Sequence, residues 1–148
     1  MSSSRADLAD EFIALDTNQY VLALRRDPRF PNCASLLFQH VDKLCVHVPL
    51  QVLKELHRNL SRRELRRVFG ALEVAQECRI DYALGDIGRV THWEQMGAKK
   101  GDAVIVAQLE AAGVRFLVSE NRHFLSEVEG LPFEVLTSEQ VLRQLNGP

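Results

Sequence analysis

Four short apolar runs with almost no polar alternation constrain this chain most: Phe12-Ile13-Ala14-Leu15, Leu44-Cys45-Val46-His47-Val48, Val114 to Val118, and Phe133 to Leu136. A strand that is apolar on both faces must be covered on both, which an antiparallel hairpin sheet rarely needs and a parallel sheet always does. Parallel neighbours need long crossovers, and the intervening segments have the composition of helices. The pattern therefore predicts an α/β fold, a three-layer α/β/α sandwich around a central, mostly parallel sheet of four to five strands. The fifth is Arg79-Ile80-Asp81-Tyr82-Ala83, which reads equally as a strand or a helix end.

Boundary residues place the helices. Pro49 suits a first helical position, where its missing N–H has no intrahelical partner anyway. Ser61-Arg62-Arg63-Glu64 is a capping box, opening a helix with Leu65, Val68, Phe69 and Leu72 on one stripe. Asp86 caps a helix that Gly97 ends. Asp102 opens an apolar helix that Gly113 closes, and Ser138 caps the last helix. Cys78 reads as a small hydrophobe at a helix end. The length of 148 residues suits one domain, placed at 12–146 after a short polar segment at 1–11.

A formal net charge of −2 excludes a polycation, so any nucleic-acid contact needs a local basic patch. Cys33, Cys45 and Cys78 are odd in number and lack metal-type spacing, which suits reduced thiols in a cytoplasm. No run approaches the roughly 20 apolar residues of a membrane span, and no signal-peptide core is evident. A soluble cytoplasmic protein is the expectation.

The polar residues at the element ends carry the chemistry. Asp16 follows the first strand, and Ser119-Glu120-Asn121 follows the third. Glu55 lies on the helix after the second strand, and Asp102 begins the helix before the third. Parallel sheets bind ligands beyond the carboxyl ends of their strands, so these acids can converge at one edge. Clustered carboxylates repel until a divalent cation relieves them, and an all-oxygen donor set suits Mg²⁺ or Mn²⁺.

At these residues the sequence resembles the PIN domain, the nuclease domain of VapC-type toxins and related ribonucleases, from about Phe12 to Leu145. "LDTN" at 15–18 resembles the opening motif, with Asp16 as its acid. "VPLQVLKEL" resembles the second, with Glu55. "GDAVIVAQLEAAG" resembles the third, with Asp102, and "LVSENRHF" the fourth, with Ser119 and Asn121. Two departures stand out: the neutral Asn121, and His123-Phe124 where many relatives carry another acid. The resemblance implies a metal-dependent endoribonuclease that leaves 5′-phosphate and 3′-hydroxyl ends. Its catalytic residues would be Asp16, Glu55, Asp102 and Asn121. Asp16, Asp102 and Glu55 would hold Mg²⁺ or Mn²⁺, supported through hydrogen bonds by Thr17, Asn18, Ser119 and Glu120.

Arg62, Arg63, Arg66 and Arg67, with Lys99 and Lys100 beside Asp102, are candidates for RNA phosphate contact, although a solvated helix face explains the arginines equally well. The resemblance also implies a small antitoxin partner and a homodimer, for which Trp93, Phe38 or Leu37 could supply an apolar interface. Alternative functions are a housekeeping RNA-processing or structure-specific nuclease, or a catalytically silent module that binds RNA or protein. A haloacid-dehalogenase-type phosphatase would want a second Asp where Asn18 stands.

Overall fold

The chain forms five parallel strands in the order β3-β2-β1-β4-β5, in a computed structural model that describes residues 8, 10–121, 123, 124 and 127–146. The strands are β1 (Phe12–Leu15), β2 (Cys45–Pro49), β3 (Glu77–Asp81), β4 (Phe116–Val118) and β5 (Glu134–Leu136). Every pairing is parallel. In β1, β2 and β4 successive residues are buried, so both faces of the central sheet are covered, as the unalternated runs require. The covering helices are α1 (Thr17–Arg25), α2 (Pro31–Ser35), α3 (Leu50–Asn59), α4 (Arg62–Leu72), α5 (Ile87–Gln95), α6 (Lys100–Ala112) and α7 (Ser138–Asn146). This is the sandwich the sequence predicts, with its fifth strand at 77–81.

Several boundaries differ from expectation. Cys78 lies within β3 rather than ending a helix. Pro49 is the last strand residue and the cap position of α3, one step before the helix. After α2 the chain continues through a π-turn, Leu36–His40, and a 3₁₀ turn, Val41–Lys43, before β2. Leu8, in the segment expected to be a polar tail, is fully buried in the core. Most of that segment's other residues lie outside the described ones.

The capping box of α4 is formed as expected, with Ser61 N–H donating to Glu64 Oε1 and Glu64 N–H to Ser61 Oγ. A second capping box, unforeseen, belongs to Thr137 and Gln140: Thr137 N–H donates to Gln140 Oε1 and Gln140 N–H to Thr137 Oγ1. Ser138, expected as that cap, binds Glu120 instead. Gly113 sits at φ 70°, where a side chain would be strained, and closes α6.

His47 is buried in β2 as expected of a core histidine. Its Nδ1 accepts from Arg79 Nε at 2.9 Å, so the ring's proton sits on Nε2. Burial, followed by the charge of Arg79, holds its pKa below the ordinary histidine value.

One polar side chain joins the two helices that carry Glu55 and Asp102. Helix α3 has no side-chain cap of its own. Its Gln51 N–H donates to Oε1 of the buried Gln108 on α6 at 2.8 Å, while Gln108 Nε2 donates to Leu84 O at 3.2 Å. α6 thus caps α3 across the interface where they pack. Replacing Gln108→Leu keeps the volume but leaves the Gln51 N–H and Leu84 C=O without partners. It should cost about 1–3 kcal/mol in urea denaturation. Wild-type stability in that variant would show that water satisfies both groups and that the cross-cap is incidental.

Candidate active site

The strand order reverses between β1 and β4, the place where open parallel sheets leave a crevice. Asp16 and Ser119 stand on its two sides. Asp16 N–H donates to Val118 O at 2.9 Å, and Ser119 N–H to Leu136 O at 2.9 Å, so the ladder itself fixes both residues. Their side chains bridge the crevice, Ser119 Oγ donating to Asp16 Oδ2 at 2.9 Å. Asp16 Oδ1 accepts the Thr17 N–H at 2.8 Å and caps α1. The carboxylate is only 4% exposed, which makes it expensive to ionise.

Glu55 reaches the same edge from α3. Its Oε1 accepts from Thr17 Oγ1, the residue beside Asp16, and its Oε2 accepts from Gln51 Nε2 at 3.0 Å, one turn earlier. Gly101 makes room for it: a Cβ there would stand 3.2 Å from Glu55 Oε2. The glutamate is therefore packed against the first turn of α6, where the helix dipole favours a negative group.

Asp102 occupies that same turn but is not the cap expected from sequence. Lys99 is the cap residue and Asp102 the third helical residue, and no side-chain capping bond is made. Its half-buried carboxylate is thus not committed to capping. Burial, followed by the negative charge of Glu55, raises its pKa, while His123 and Lys99 pull the other way. For Asp16, burial dominates and lifts the carboxyl from 3.8 to about 6; the Ser119 hydrogen bond opposes, and the charges of Asp102 and Glu55 add. The three acids from β1, α3 and α6 therefore feel one another at one sheet edge.

The remaining expected residues divide. Asn121 N–H donates to Ser119 Oγ at 3.0 Å, and its own Oδ1 accepts the His123 N–H at 2.9 Å, so it braces the loop after β4. Glu120, expected to support the acids, turns elsewhere. Its Oε2 accepts from Gln19 Nε2 at 3.0 Å and from the Ser138 N–H and Oγ at 2.9 and 2.8 Å, pinning the start of α7. Asn18 is exposed and, among the described residues, bonds to none of the acids. With Asn121, Arg25 and Arg29 it lines a groove of about 450 Å³. Lys99 reaches Asp102 electrostatically; Lys100 is the exposed first residue of α6. Arg25 and the α4 residue Arg67 both act on Glu64, and Arg67 also stacks over Phe38. Trp93 and Leu37 are buried core residues rather than surface anchors, and Phe38 is half-buried.

Gln51, Gly101, Gln108 and His123 were missed from sequence. The first was detectable as the residue one turn before Glu55; the others depend on packing. His123, at the position of the missing acid, places Nε2 at 2.8 Å from Gly97 O and Nδ1 against Glu127.

Among the described residues no three His, Cys, Asp or Glu side chains converge into a ready metal cage. The donor set fits an open site better: Mg²⁺ takes one or two carboxylates and keeps several waters, and a buried Asp16 facing two further acids is what a hydrated cation would relieve.

Several solved structures are similar, two of them as follows. One is VapBC2 from Rickettsia felis bound to a DNA fragment from their promoter, at TM-score 0.57 and 18% identity, over 85% of this chain and 98% of that one. The other is PAE2754 from Pyrobaculum aerophilum, at TM-score 0.52 and 16% identity, over 93% and 98%. No family model and no curated protein matches the sequence. At such identities the likeness shows the fold alone, a PIN-like α/β/α sandwich.

The raised pKa of Asp16 has a consequence for stability. A carboxyl whose folded pKa lies above its unfolded value binds its proton more tightly when folded. The stabilisation is fully present below about pH 4 and is lost as pH rises through about 6, on the order of 3 kcal/mol. In EDTA, wild type should therefore lose stability across this window relative to Asp16→Asn, and millimolar Mg²⁺ should restore part of it. Parallel stability–pH curves for the two proteins would mean that Asp16 titrates like an exposed carboxyl.

Proposed function

We propose that this chain is a metal-dependent endoribonuclease acting through Asp16, Glu55 and Asp102, and that it is the toxin of a toxin–antitoxin pair. The observation that carries the reading is the buried Asp16 at the switch point, its ionisation opposed by burial and by two acids from other elements. An arrangement that costs stability is expected where charge is used. The VapBC2 likeness supports the toxin reading and a small antitoxin partner. In the described residues no helix is long and apolar enough to cross a membrane.

In this reading Asp16 and Asp102 would hold Mg²⁺ or Mn²⁺, with Glu55 as a third ligand or as the group that orients the attacking water. The ion, when bound, neutralises charge on the phosphate and on the leaving oxygen. Ser119 and Thr17 hold the Asp16 and Glu55 carboxylates in place, through the bonds described above, so that neither must reorganise when substrate arrives. Lys99, beside Asp102, and Lys100 draw a phosphate toward the acids. The groove past Asn18 and Asn121 runs to Arg25 and Arg29, and Arg67 on α4, which acts on Glu64 together with Arg25, would extend the track toward Arg62, Arg63 and Arg66 of the same helix.

Asp102→Asn keeps size and shape, and because Asp102 caps nothing, the variant should melt at or slightly above the wild-type temperature. Metal-dependent RNA cleavage should fall by about two to four orders of magnitude. The assay is RNA cleavage in Mg²⁺ or Mn²⁺ with an EDTA control and a melting curve. Undiminished cleavage by the folded variant would remove Asp102 from the mechanism. A protein inert in every metal, with RNA still bound, would instead indicate a silent binding module.

The basic track is tested by salt. Replacing Arg25 and Arg67 by Ala should weaken binding to all single-stranded RNA sequences alike and flatten the plot of log affinity against log salt by about 0.7 per lost phosphate contact. An unchanged slope would make these arginines an ordinary solvated surface.

A further inference from the structure

The loop after β4 leaves one carboxylate oxygen uncommitted. Glu120 Oε2 takes the donors from Gln19 and from the Ser138 N–H and hydroxyl, while its Oε1 accepts from no donor among the described residues. Glu120 lines the groove of about 450 Å³ that Asn18 and Asn121 also line. Each of those asparagines stands two residues from a partner in the Asp16–Ser119 hydrogen bond, so the groove begins at the crevice. Its volume lies in the range of a small-molecule pocket, about 300–1,000 Å³.

The walls suit a flat ring. Val21, Leu22 and the half-buried Phe30 supply apolar surface. Arg29 adds a guanidinium plane. Asp27 holds it through two bonds, Nε to Oδ1 at 3.1 Å and Nη2 to Oδ2 at 2.8 Å, and it lies 5.7 Å from the Phe30 ring centroid. The Arg29 side chain is still 76% exposed, which leaves the plane open to a ligand. A fixed guanidinium whose charge Asp27 already balances offers a stacking face more than a phosphate contact.

The polar groups choose among the bases. Asn121 Oδ1 accepts the His123 N–H, so the donor end of that amide is the one left for a ligand. The groove thus joins a carboxylate oxygen, with its lone pairs, to an amide donor on the next residue. Guanine has the matching edge: N1–H and N2–H are adjacent donors that one oxygen can accept together, and O6 beside them takes the Asn121 amide. Adenine carries an acceptor, N1, where guanine has a donor. Cytosine likewise sets its N3 acceptor beside its one amino group, and uracil has a single donor between two carbonyls.

We propose that this groove is a guanine subsite, in which Glu120 Oε1 accepts from N1–H and N2–H, the Asn121 amide donates to O6, and the ring lies on the Arg29 plane. The proposal rests on the nuclease reading above: the guanine belongs to the RNA substrate, and holding it brings the adjoining phosphodiester to Asp16. Glu120 is then a specificity residue and not a catalytic one. Its Oε2 anchors α7, and its Oε1 reads the base.

The test is fluorescence anisotropy in EDTA, with short oligouridines carrying one central guanosine, inosine, adenosine or cytidine. The guanosine oligonucleotide should bind about tenfold or more tighter than those with adenosine or cytidine. Inosine, which lacks only the N2 amino group, should fall between. Glu120→Gln can keep its amide oxygen on Gln19 and Ser138 while turning a donor into the groove. It should abolish the guanosine preference at a near-native melting temperature, and the inosine comparison on wild type decides even if that variant unfolds. Free guanosine 5′-monophosphate should compete better than the adenosine nucleotide but far more weakly than the oligonucleotide. Competition as tight as the oligonucleotide would make the groove a free-nucleotide site and overturn its assignment to RNA. Equal binding of every base, inosine bound as tightly as guanosine, or a guanosine preference that survives in folded Glu120→Gln overturns the subsite. RNA cleaved with no guanosine preference in binding fails the subsite alone, and guanosine preferred with no cleavage in any metal fails the nuclease reading alone.

Discussion

A carboxylate buried between two parallel strands governs how the rest of this structure is arranged. Asp16 is held on the backbone side by Val118 and on the side-chain side by Ser119 and the Thr17 N–H. The Val118 and Ser119 bonds exist only because β1 and β4 are neighbours, and β1 and β4 are neighbours only because the chain crosses from one half of the sheet to the other between β3 and β4. The reversal opens the crevice, and the hydrogen bonds keep the acid in it despite a burial that lifts its pKa to about 6. Two hydrogen bonds to the carboxylate, from Ser119 and the Thr17 N–H, mitigate the desolvation without removing it. The carboxylate remains a place where a cation would be welcome.

Around this residue the helices are positioned by polar contacts rather than by apolar packing alone. Thr17 reaches Glu55, Gln51 steadies Glu55 from one turn away, and Gln108 caps α3 from α6. Gly101 lets the Glu55 carboxylate approach the first turn of α6. The two helices that carry Glu55 and Asp102 are thereby locked to each other and, through Thr17, to the strand that carries Asp16. The acids are set by rigid elements, the arrangement a site needs if it is not to reorganise when charge arrives.

The loop after β4 shows the opposite use of an acid. Glu120 stands one residue from Ser119, yet four donors, counting the Cys33 thiol, draw its carboxylate away from the crevice to α7. At the position where a further acid was missed, His123 ties the loop to Gly97 O and, when protonated, places positive charge near Asp102. The cluster is therefore poorer in carboxylates on its β4 side than on its β1, α3 and α6 sides. In the proposed nuclease reading, that suits a single, largely hydrated ion better than a caged pair.

Much of this was legible in the sequence, for identifiable reasons. Unalternated runs such as Phe12 to Leu15 imply coverage on both faces, which implies parallel strands and crossover helices, and the five-stranded sheet follows. Asp16 and Ser119 were legible because parallel sheets expose the residues at their strand ends, and the Ser61–Glu64 box because capping is local. The direction of a side chain at a boundary was not. Asp102 looked like a cap but is the third residue of its helix, and Ser138 looked like one while Thr137 serves, because a helix start depends on backbone angles set by what precedes it. Glu120 was misjudged since its partners, Gln19 and Ser138, are distant in sequence. Trp93 and Leu37 fitted an apolar interface as well as the core and are core, since composition cannot tell an interior from an interface. The sequence by itself determined the layers, the strand-end acids and the local caps, all of which rest on periodicity and near neighbours. Only the tertiary structure decided which acids share an edge and which is diverted to a helix end, because those depend on strand order and on contacts between residues dozens of positions apart.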